Sequence, residues 1–235
     1  MREVDGGRKR KVLIGLAAGG LGLAVLAGLF FIGPMSGAMR YLWSDRSFQG
    51  NALHGGQLAK AQCKACHGPT GNSRNPQIPK LAGQDSNYLY AQLLAFRSGS
   101  RHSEVMSPIA TSVPEANARD LATYFSAEAR TPDPNPDEQL AARGRSIYFS
   151  GRDGGMMSRC AACHSADGGM MGRGMMAMMR AANAPNLNGQ HAAYLTAQLD
   201  RFASGQRQSS VMDRIAASLS EADRKAVAAY LSGLH

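Results

Sequence analysis

Apolar and polar positions alternate differently in two parts of the chain. From Val12 to Met39 there is no charged residue, and Val12 to Gly33 is almost entirely Leu, Ala, Gly, Val, Ile and Phe. As a helix rising 1.5 Å per residue, 12–33 reaches roughly 33 Å, enough for a bilayer core. Beyond residue 50 the apolar positions take helical spacing instead: Leu121, Tyr124 and Phe125, and again Val227, Tyr230 and Leu231. The pattern predicts three helices at about 54–65, 85–98 and 115–129, and three more at about 138–149, 191–204 and 221–233. Pro114 suits a first helical turn, and Ser220 with Asp223 forms an N-cap arrangement. No alternating strand pattern is present, so the expected class is all-α.

The second set of helices repeats the first. A shift of 106 positions aligns Pro79 with Pro185, Leu81 with Leu187, Gly83-Gln84 with Gly189-Gln190, and Tyr88-Leu89 with Tyr194-Leu195. It also aligns Gln92-Leu93, Phe96, Gly99, Arg101, Val105, Met106 and Ile109 with Gln198-Leu199, Phe202, Gly205, Arg207, Val211, Met212 and Ile215. A constant offset over so long a block marks an internal duplication. Thr131-Pro-Asp-Pro-Asn-Pro136 lies between the copies, and alternating prolines make a semi-rigid extended linker. The expected organisation is a basic N-terminus (1–11), an apolar segment (12–33), a connector (34–50), one domain over 51–131, a linker at 132–137 and a second domain over 138–235.

Charge orients the first part and limits the second. Arg2, Arg8, Lys9, Arg10 and Lys11 precede the apolar segment, so this end is expected in the cytoplasm and everything after about residue 34 outside it. Arg40, Tyr41 and Trp43 follow as interfacial anchors. A cleaved signal peptide is the rival reading, with Ser36-Gly37-Ala38 as its small-residue site, but its apolar run is typically only 7–15 residues. Either way residues 40–235 are exported, in a bacterial cell to the periplasm. The retained anchor predicts single-pass attachment to the inner membrane. The chain's formal charge is +9, yet both signs are mixed past residue 11 without a basic stripe interleaved with aromatics, so no nucleic-acid partner is expected.

The four cysteines carry the chemistry. Cys63-Lys-Ala-Cys66-His67 and Cys160-Ala-Ala-Cys163-His164 are both C-x-x-C-H, the attachment signature of c-type haem. Two thiols one helical turn apart can add to the two vinyl groups of a haem, and the adjacent His supplies an axial nitrogen. A zinc site would lack its second His pair, and a thioredoxin-like site would lack strands. Halves of about 100 residues have small cores, which a large covalent cofactor would complete. The expected cofactors are two covalently bound c-type haems. Met106 and Met212 hold equivalent repeat positions, each after a Phe-x-x-Gly-x-Arg turn that suits a loop reaching back over the haem. They are the expected sixth ligands, the iron being held by His67 and Met106 and by His164 and Met212. A thioether favours ferrous iron and raises the potential, while core filling is the plain alternative for either Met. His102 is expected on the surface, and His54, His191 and His235 as solvated or locally bonded. From spacing alone, Pro79 and Pro185 are either turn prolines or carbonyl donors that fix the ring of the haem-ligating His.

Cys63-x-x-Cys-His-Gly-x-x-Gly-Asn-Ser73, then Pro79-Lys-Leu-Ala-Gly-Gln84, Tyr88, Gln92-Leu93, Phe96, Gly99, Arg101 and Met106, closely resembles the dihaem cytochrome c4 family. The second copy resembles its C-terminal half in Gly144-Arg-Ser-Ile-Tyr148, the second C-x-x-C-H and Pro185-Asn-Leu-Asn-Gly-Gln190. The resemblance covers about residues 50–233. It implies two tandem class I cytochrome c domains, related by a pseudo-twofold axis, here preceded by a single transmembrane helix. It implies His/Met ligation of both haems, electron transfer between them, and the carbonyl role for Pro79 and Pro185. It also implies a quinol–cytochrome c reductase as electron donor and a terminal oxidase as acceptor.

Two departures stand out: the N-terminal anchor, and the extra residues at 165–184. These hold Met170, Met171, Met175, Met176, Met178 and Met179, with Met156 and Met157 ahead of the second motif. An apolar flap over the second haem is the plain reading of this cluster, with a Cu(I) site of thioethers and a partner-docking surface as the lesser alternatives. With both axial positions filled the chain is expected to be an electron carrier rather than an enzyme, either free or as a bound subunit. The alternatives are the cytochrome subunit of a periplasmic dehydrogenase and, behind it, a dihaem peroxidase, which would need an open axial site.

Overall fold

The computed structural model describes residues 50–134, 137–152, 159–164 and 184–235. The apolar segment 12–33 and the methionines of 156–157 and 170–179 lie outside the described residues. Among the described residues no helix is long and apolar enough to cross a membrane.

Each half has the same succession of helices, and no strand occurs among the described residues. In the first half, α1 (Ala52–Leu58) passes through a π-helical turn (Ala59–Cys63) into α2 (Lys64–His67). Then come α3 (Ser86–Ser98), α4 (Met106–Ser112) and α5 (Glu115–Ala127). The second half repeats them as α6 (Glu138–Ser150), α7 (Ala161–His164), α8 (Ala192–Ala203), α9 (Met212–Ser218) and α10 (Glu221–Ser232).

Local chemistry starts these helices where the sequence places them. Asn51, Asp85 and Asp137 each accept a backbone N–H three residues on, at 3.1, 3.0 and 2.9 Å, meeting donors that a helix start leaves unpaired. Ser220 and Asp223 exchange both bonds of a capping box at the head of α10. Pro114 sits one position outside α5, as its N-cap. Gly99, at φ +77°, ends α3 in the left-handed region that disfavours residues with a Cβ.

The first and last helices of each half cross so closely that only glycine fits. A Cβ at Gly55 would overlap the Asp120 carbonyl of α5, and one at Gly144 would overlap the Ala226 carbonyl of α10. The same crossing brings Tyr124 and Tyr230 against those two glycines. Leu121, Ala122 and Phe125 form the buried centre of the first half; Tyr148, Leu195, Val227, Ala228 and Leu231 form that of the second.

Gly55 and Gly144 also expose a second difference between the copies. Gly144 follows Gly55 by 89 positions, while the C-x-x-C-H motifs are 97 apart. The second half therefore holds eight extra residues between its first helix and its motif. In the first half the helix runs unbroken into the cysteines, two residues past the expected end; in the second it stops at Ser150, with Gly151 at φ +68°.

The halves dock within one compact unit, Gln49–His235. The joint is reciprocal. The buried Gln190 side chain bonds both backbone groups of Lys80, donating to its carbonyl and accepting from its N–H, each at 2.8 Å. The equivalent Gln84 does the same to Asn186, the equivalent of Lys80, again at 2.8 Å twice. Around this symmetric pair lies an asymmetric cluster. The Lys80 ammonium donates to Asp133 at 2.7 Å and to the carbonyls of Thr131 and Gly189. Arg130 donates to the carbonyls of Ala82, Asn186 and Asn188, and burial pulls its guanidinium down to about 10.

His191 corrects the sequence expectation. It is buried, not solvated, and its partners are distant in sequence: Asp133 at 2.8 Å, and the Ser73 hydroxyl and carbonyl at 3.0 Å each. Its repeat equivalent is Asp85, an exposed N-cap, so the repeat offered no hint of this role. The linker is likewise more than a spacer, because Asp133 is tied to both halves and its N–H to Ser232. His54 pairs with Asp120 at 2.6 Å at the surface, and His102 is exposed.

Candidate functional site

The π-helical turn and α2 carry Cys63, Cys66 and His67 on successive turns, which brings all three to the wall of one cavity. π-Helical turns inside α-helices occur often at functional sites, because the extra residue re-aims the side chains that follow. His67 is buried, and its Nδ1 donates to the Pro79 carbonyl at 2.9 Å. That bond fixes the tautomer and leaves Nε2 with its lone pair for a metal. Burial lowers the proton affinity of His67, partly offset by the Pro79 bond, so the ring stays neutral as a ligand must. In the second half His164 repeats this arrangement: Nδ1 lies 2.9 Å from the Pro185 carbonyl, and burial again lowers its proton affinity.

Cys63, Cys160 and Cys163 are not set up as ionised nucleophiles. Burial pushes Cys63 and Cys160 up to about 11 and raises Cys163 as well. Redox and metal-binding thiols are instead lowered by nearby positive charge. Among the described residues no group of three or more His, Cys, Asp or Glu is arranged to hold a metal ion. Two thiols and a neutral histidine suit a group that brings its own nitrogens and takes the thiols as thioethers.

Met106 and Met212 stand at the starts of α4 and α9, not in loops as the turn-rich sequence before them suggests. Ser103 Oγ accepts the Met106 N–H at 3.1 Å, and the equivalent Ser209 Oγ accepts the Met212 N–H at 3.2 Å. Each serine thereby fixes the helix start that carries the methionine. Met106 lines the same cavity as Cys63, Cys66 and His67.

That cavity has a volume of about 470 Å³. Leu93, Phe96, Ile109, Val113, Leu121 and Phe125 give it an apolar wall, which fits the hydrocarbon face of a porphyrin better than a polar substrate. It does not end at the first half. Pro185, Leu187, Tyr194, Leu195 and Gln198 of the second half close its far side, so the first site opens onto the joint.

At that opening six repeat-matched residues interlock. Arg101 donates to Gln92 of its own half at 2.6 Å, and across the joint to Tyr194 at 3.1 Å and Gln198 at 2.9 Å. Arg207 mirrors it, donating to Gln198 of its own half at 2.8 Å and across to Tyr88 at 3.2 Å and Gln92 at 3.1 Å. Each guanidinium lies 4.5 Å from the ring centre of the Phe of its own half, Phe96 or Phe202. Sequence reasoning marks all of these as repeat matches but gives none a task. The signal available was that polar residues were kept at the same positions in both copies.

Comparison with known proteins agrees with this geometry. The Cytochrome c family model matches residues 52–127 and 141–235. The chain is 36% identical over 187 residues to cytochrome c4 of Pseudomonas aeruginosa, covering 77% of this chain and 87% of that one. It is 35% identical over 179 residues to the thiosulfate dehydrogenase electron acceptor of Thiomonas intermedia, covering 73% and 78%. The crystal structure of reduced recombinant cytochrome c4 from Pseudomonas stutzeri superposes with a TM-score of 0.69 at 34% identity, covering 79% of this chain and all of that one.

Proposed function

Since this chain belongs to the dihaem cytochrome c4 family and carries two covalently bound c-type haems, we propose that it is a periplasmic electron carrier tethered to the inner membrane by residues 12–33, passing single electrons from a quinol–cytochrome c reductase to a terminal oxidase. Cys63, Cys66, His67 and Met106 hold the first haem in this reading, and Cys160, Cys163, His164 and Met212 the second. When bound, each iron supplies a one-electron ferric/ferrous couple. The chain's own residues would ligate each iron through one histidine and one methionine, orient each imidazole through Pro79 or Pro185, and, at the first site, keep water away with an apolar wall. The anchor keeps the carrier near its donor and acceptor, which raises its effective concentration.

The observation that carries this reading is the pairing of two C-x-x-C-H histidines, each held at Nδ1 by a proline carbonyl at 2.9 Å, with one repeat-matched methionine per half. A substrate-binding enzyme needs an open axial site instead. The test is to fractionate cells producing the full chain and titrate the purified protein optically. Two haems per chain, a sharp low-spin α band on reduction, membrane association lost on deleting 1–33, and reduction by quinol–cytochrome c reductase are expected. A high-spin spectrum, or a full chain found wholly in the soluble periplasm, would overturn it.

A second reading has its own support. The similarity to the Thiomonas thiosulfate dehydrogenase electron acceptor favours service as electron-accepting subunit of a periplasmic dehydrogenase. Copurification with a catalytic partner that reduces it would decide for that reading.

A further inference from the structure

The two methionines stand in turns of the same design but unequal strength. In the first half, Ser103 and Ser107 close a reciprocal box around Met106 at the head of α4. The Ser103 hydroxyl accepts the Met106 N–H at 3.1 Å, the Ser103 carbonyl accepts the Ser107 N–H at 2.9 Å, and the Ser107 hydroxyl accepts the Ser103 N–H at 3.0 Å. Ser209 and Asp213 close the same box around Met212 at the head of α9, with the matching bonds at 3.2, 3.2 and 2.9 Å. Only the last acceptor differs: a neutral hydroxyl in the first half, a carboxylate in the second. All four clamp residues are half-buried, so water competes only in part for these bonds. A hydrogen bond to an ionised acceptor is roughly twice as strong as one between neutral groups. An acid at a helix start also meets the positive end of the peptide dipoles. Among the described residues no ion pair draws Asp213 away from this bond.

We propose that Ser103 with Ser107, and Ser209 with Asp213, are positioning residues that set how readily each methionine leaves its iron, and that the unequal clamps make the first iron the one that admits a small outside ligand. This rests on the His/Met dihaem reading above. Each box holds the methionine by its own N–H, and the residue that follows it carries the acceptor that returns to the start of the turn. How far a sulfur can withdraw is set by how firmly this turn fixes the backbone that bears it. Exchanging the charged acceptor for a neutral one loosens the turn by about fivefold, the difference between a hydrogen bond to a charged group and one to a neutral group. Met212 is therefore held more firmly than Met106, although the repeat gives both the same place. The four clamp residues touch no iron and act only through the methionines.

The test is stopped-flow entry of imidazole into the ferric holoprotein, followed by loss of the methionine-to-iron absorption band. Saturating imidazole at about pH 8 is mostly uncharged, so the Asp213 charge does not repel the probe. Two phases are expected in wild type, the faster at the first haem; Met106→Ala, which opens that iron, assigns them. Asp213→Ser and Asp213→Asn are expected to quicken only the phase of the second haem, by about fivefold. Ser107→Asp is expected to slow only the phase of the first haem, by a similar factor, a gain that a damaged fold would not produce. A faster phase at the second haem in wild type, an Asp213 variant that quickens both phases or neither, or a Ser107→Asp variant as fast as wild type would overturn the proposal. A wild-type ferric protein without the methionine-to-iron band would defeat the His/Met reading itself, and the clamps with it.

Discussion

Replacing Gln190 by Ala removes one half of the reciprocal glutamine lock. Gln190 is 4% exposed, as is Lys80, whose N–H and carbonyl it bonds at 2.8 Å each. The substitution leaves two buried backbone groups without these partners. Each unmet group costs about 1–3 kcal/mol, so the joint loses about 2–4 kcal/mol when partial water entry is allowed for. That corresponds to a docking equilibrium weakened about 30- to 1,000-fold. Amide hydrogen exchange of the reduced holoprotein reads this locally. The Lys80 amide is expected to lose protection by that factor, while Asn186, locked by Gln84, changes less. Gln84→Ala should produce the mirror result. The double variant should fall short of the sum, because the two locks close one joint. A loss below about 0.5 kcal/mol, with Lys80 exchange unchanged, would show that the joint is not a dry, closed contact and would refute the reasoning.

The other predictions concern single sites. Met106→Ala or Met212→Ala should lower the potential of the matching haem and admit cyanide or carbon monoxide, followed by optical titration; unchanged ligand access in both would remove the methionines from the iron. Gly144→Ala should lower the unfolding free energy by about 1–3 kcal/mol or more, since its Cβ meets the Ala226 carbonyl rather than a movable side chain. A denaturant midpoint equal to wild type would contradict that crossing. Ser220→Ala should cost about 1 kcal/mol by undoing the α10 cap. The Ser220 hydroxyl first, then Arg143, hold the Asp223 carboxyl below its usual range. Its stabilising effect is therefore complete above the unfolded value of about 3.9 and is lost as pH falls through the lower folded value. Asp223→Asn should flatten the acid side of the stability curve, and an unaltered curve would count against this account.

Much of the fold could be read from the chain because its signals are local. Helical spacing located the six expected helices but not the short α4 and α9 that begin at Met106 and Met212, and Ser220 with Asp223 announced a cap that the structure forms bond for bond. The C-x-x-C-H motifs are equally local, because one helical turn fixes their geometry. The proline carbonyls were half legible: spacing left Pro79 and Pro185 open between a turn and a histidine partner, and the 2.9 Å bonds decide it. What stayed hidden depends on partners far apart in sequence. His191 finds Ser73 at a distance of 118 residues, and Arg207 finds Tyr88 at 119. No periodicity reports such pairs. The eight extra residues before Cys160 leave no mark in the 106-position repeat, because Gly55 and Gly144 keep an offset of their own, 89.

The crossed glutamines have a consequence beyond stability. A contact in which Gln84 treats Asn186 as Gln190 treats Lys80 is the kind that two identical chains make with each other. Here a short tether joins the two members in one polypeptide, so their sequences are free to differ. They do differ: Asn186 stands where the first half has Lys80, and His191 where it has Asp85. Identical subunits would be bound to present the same face at both ends. A fused pair can give its two ends different surfaces.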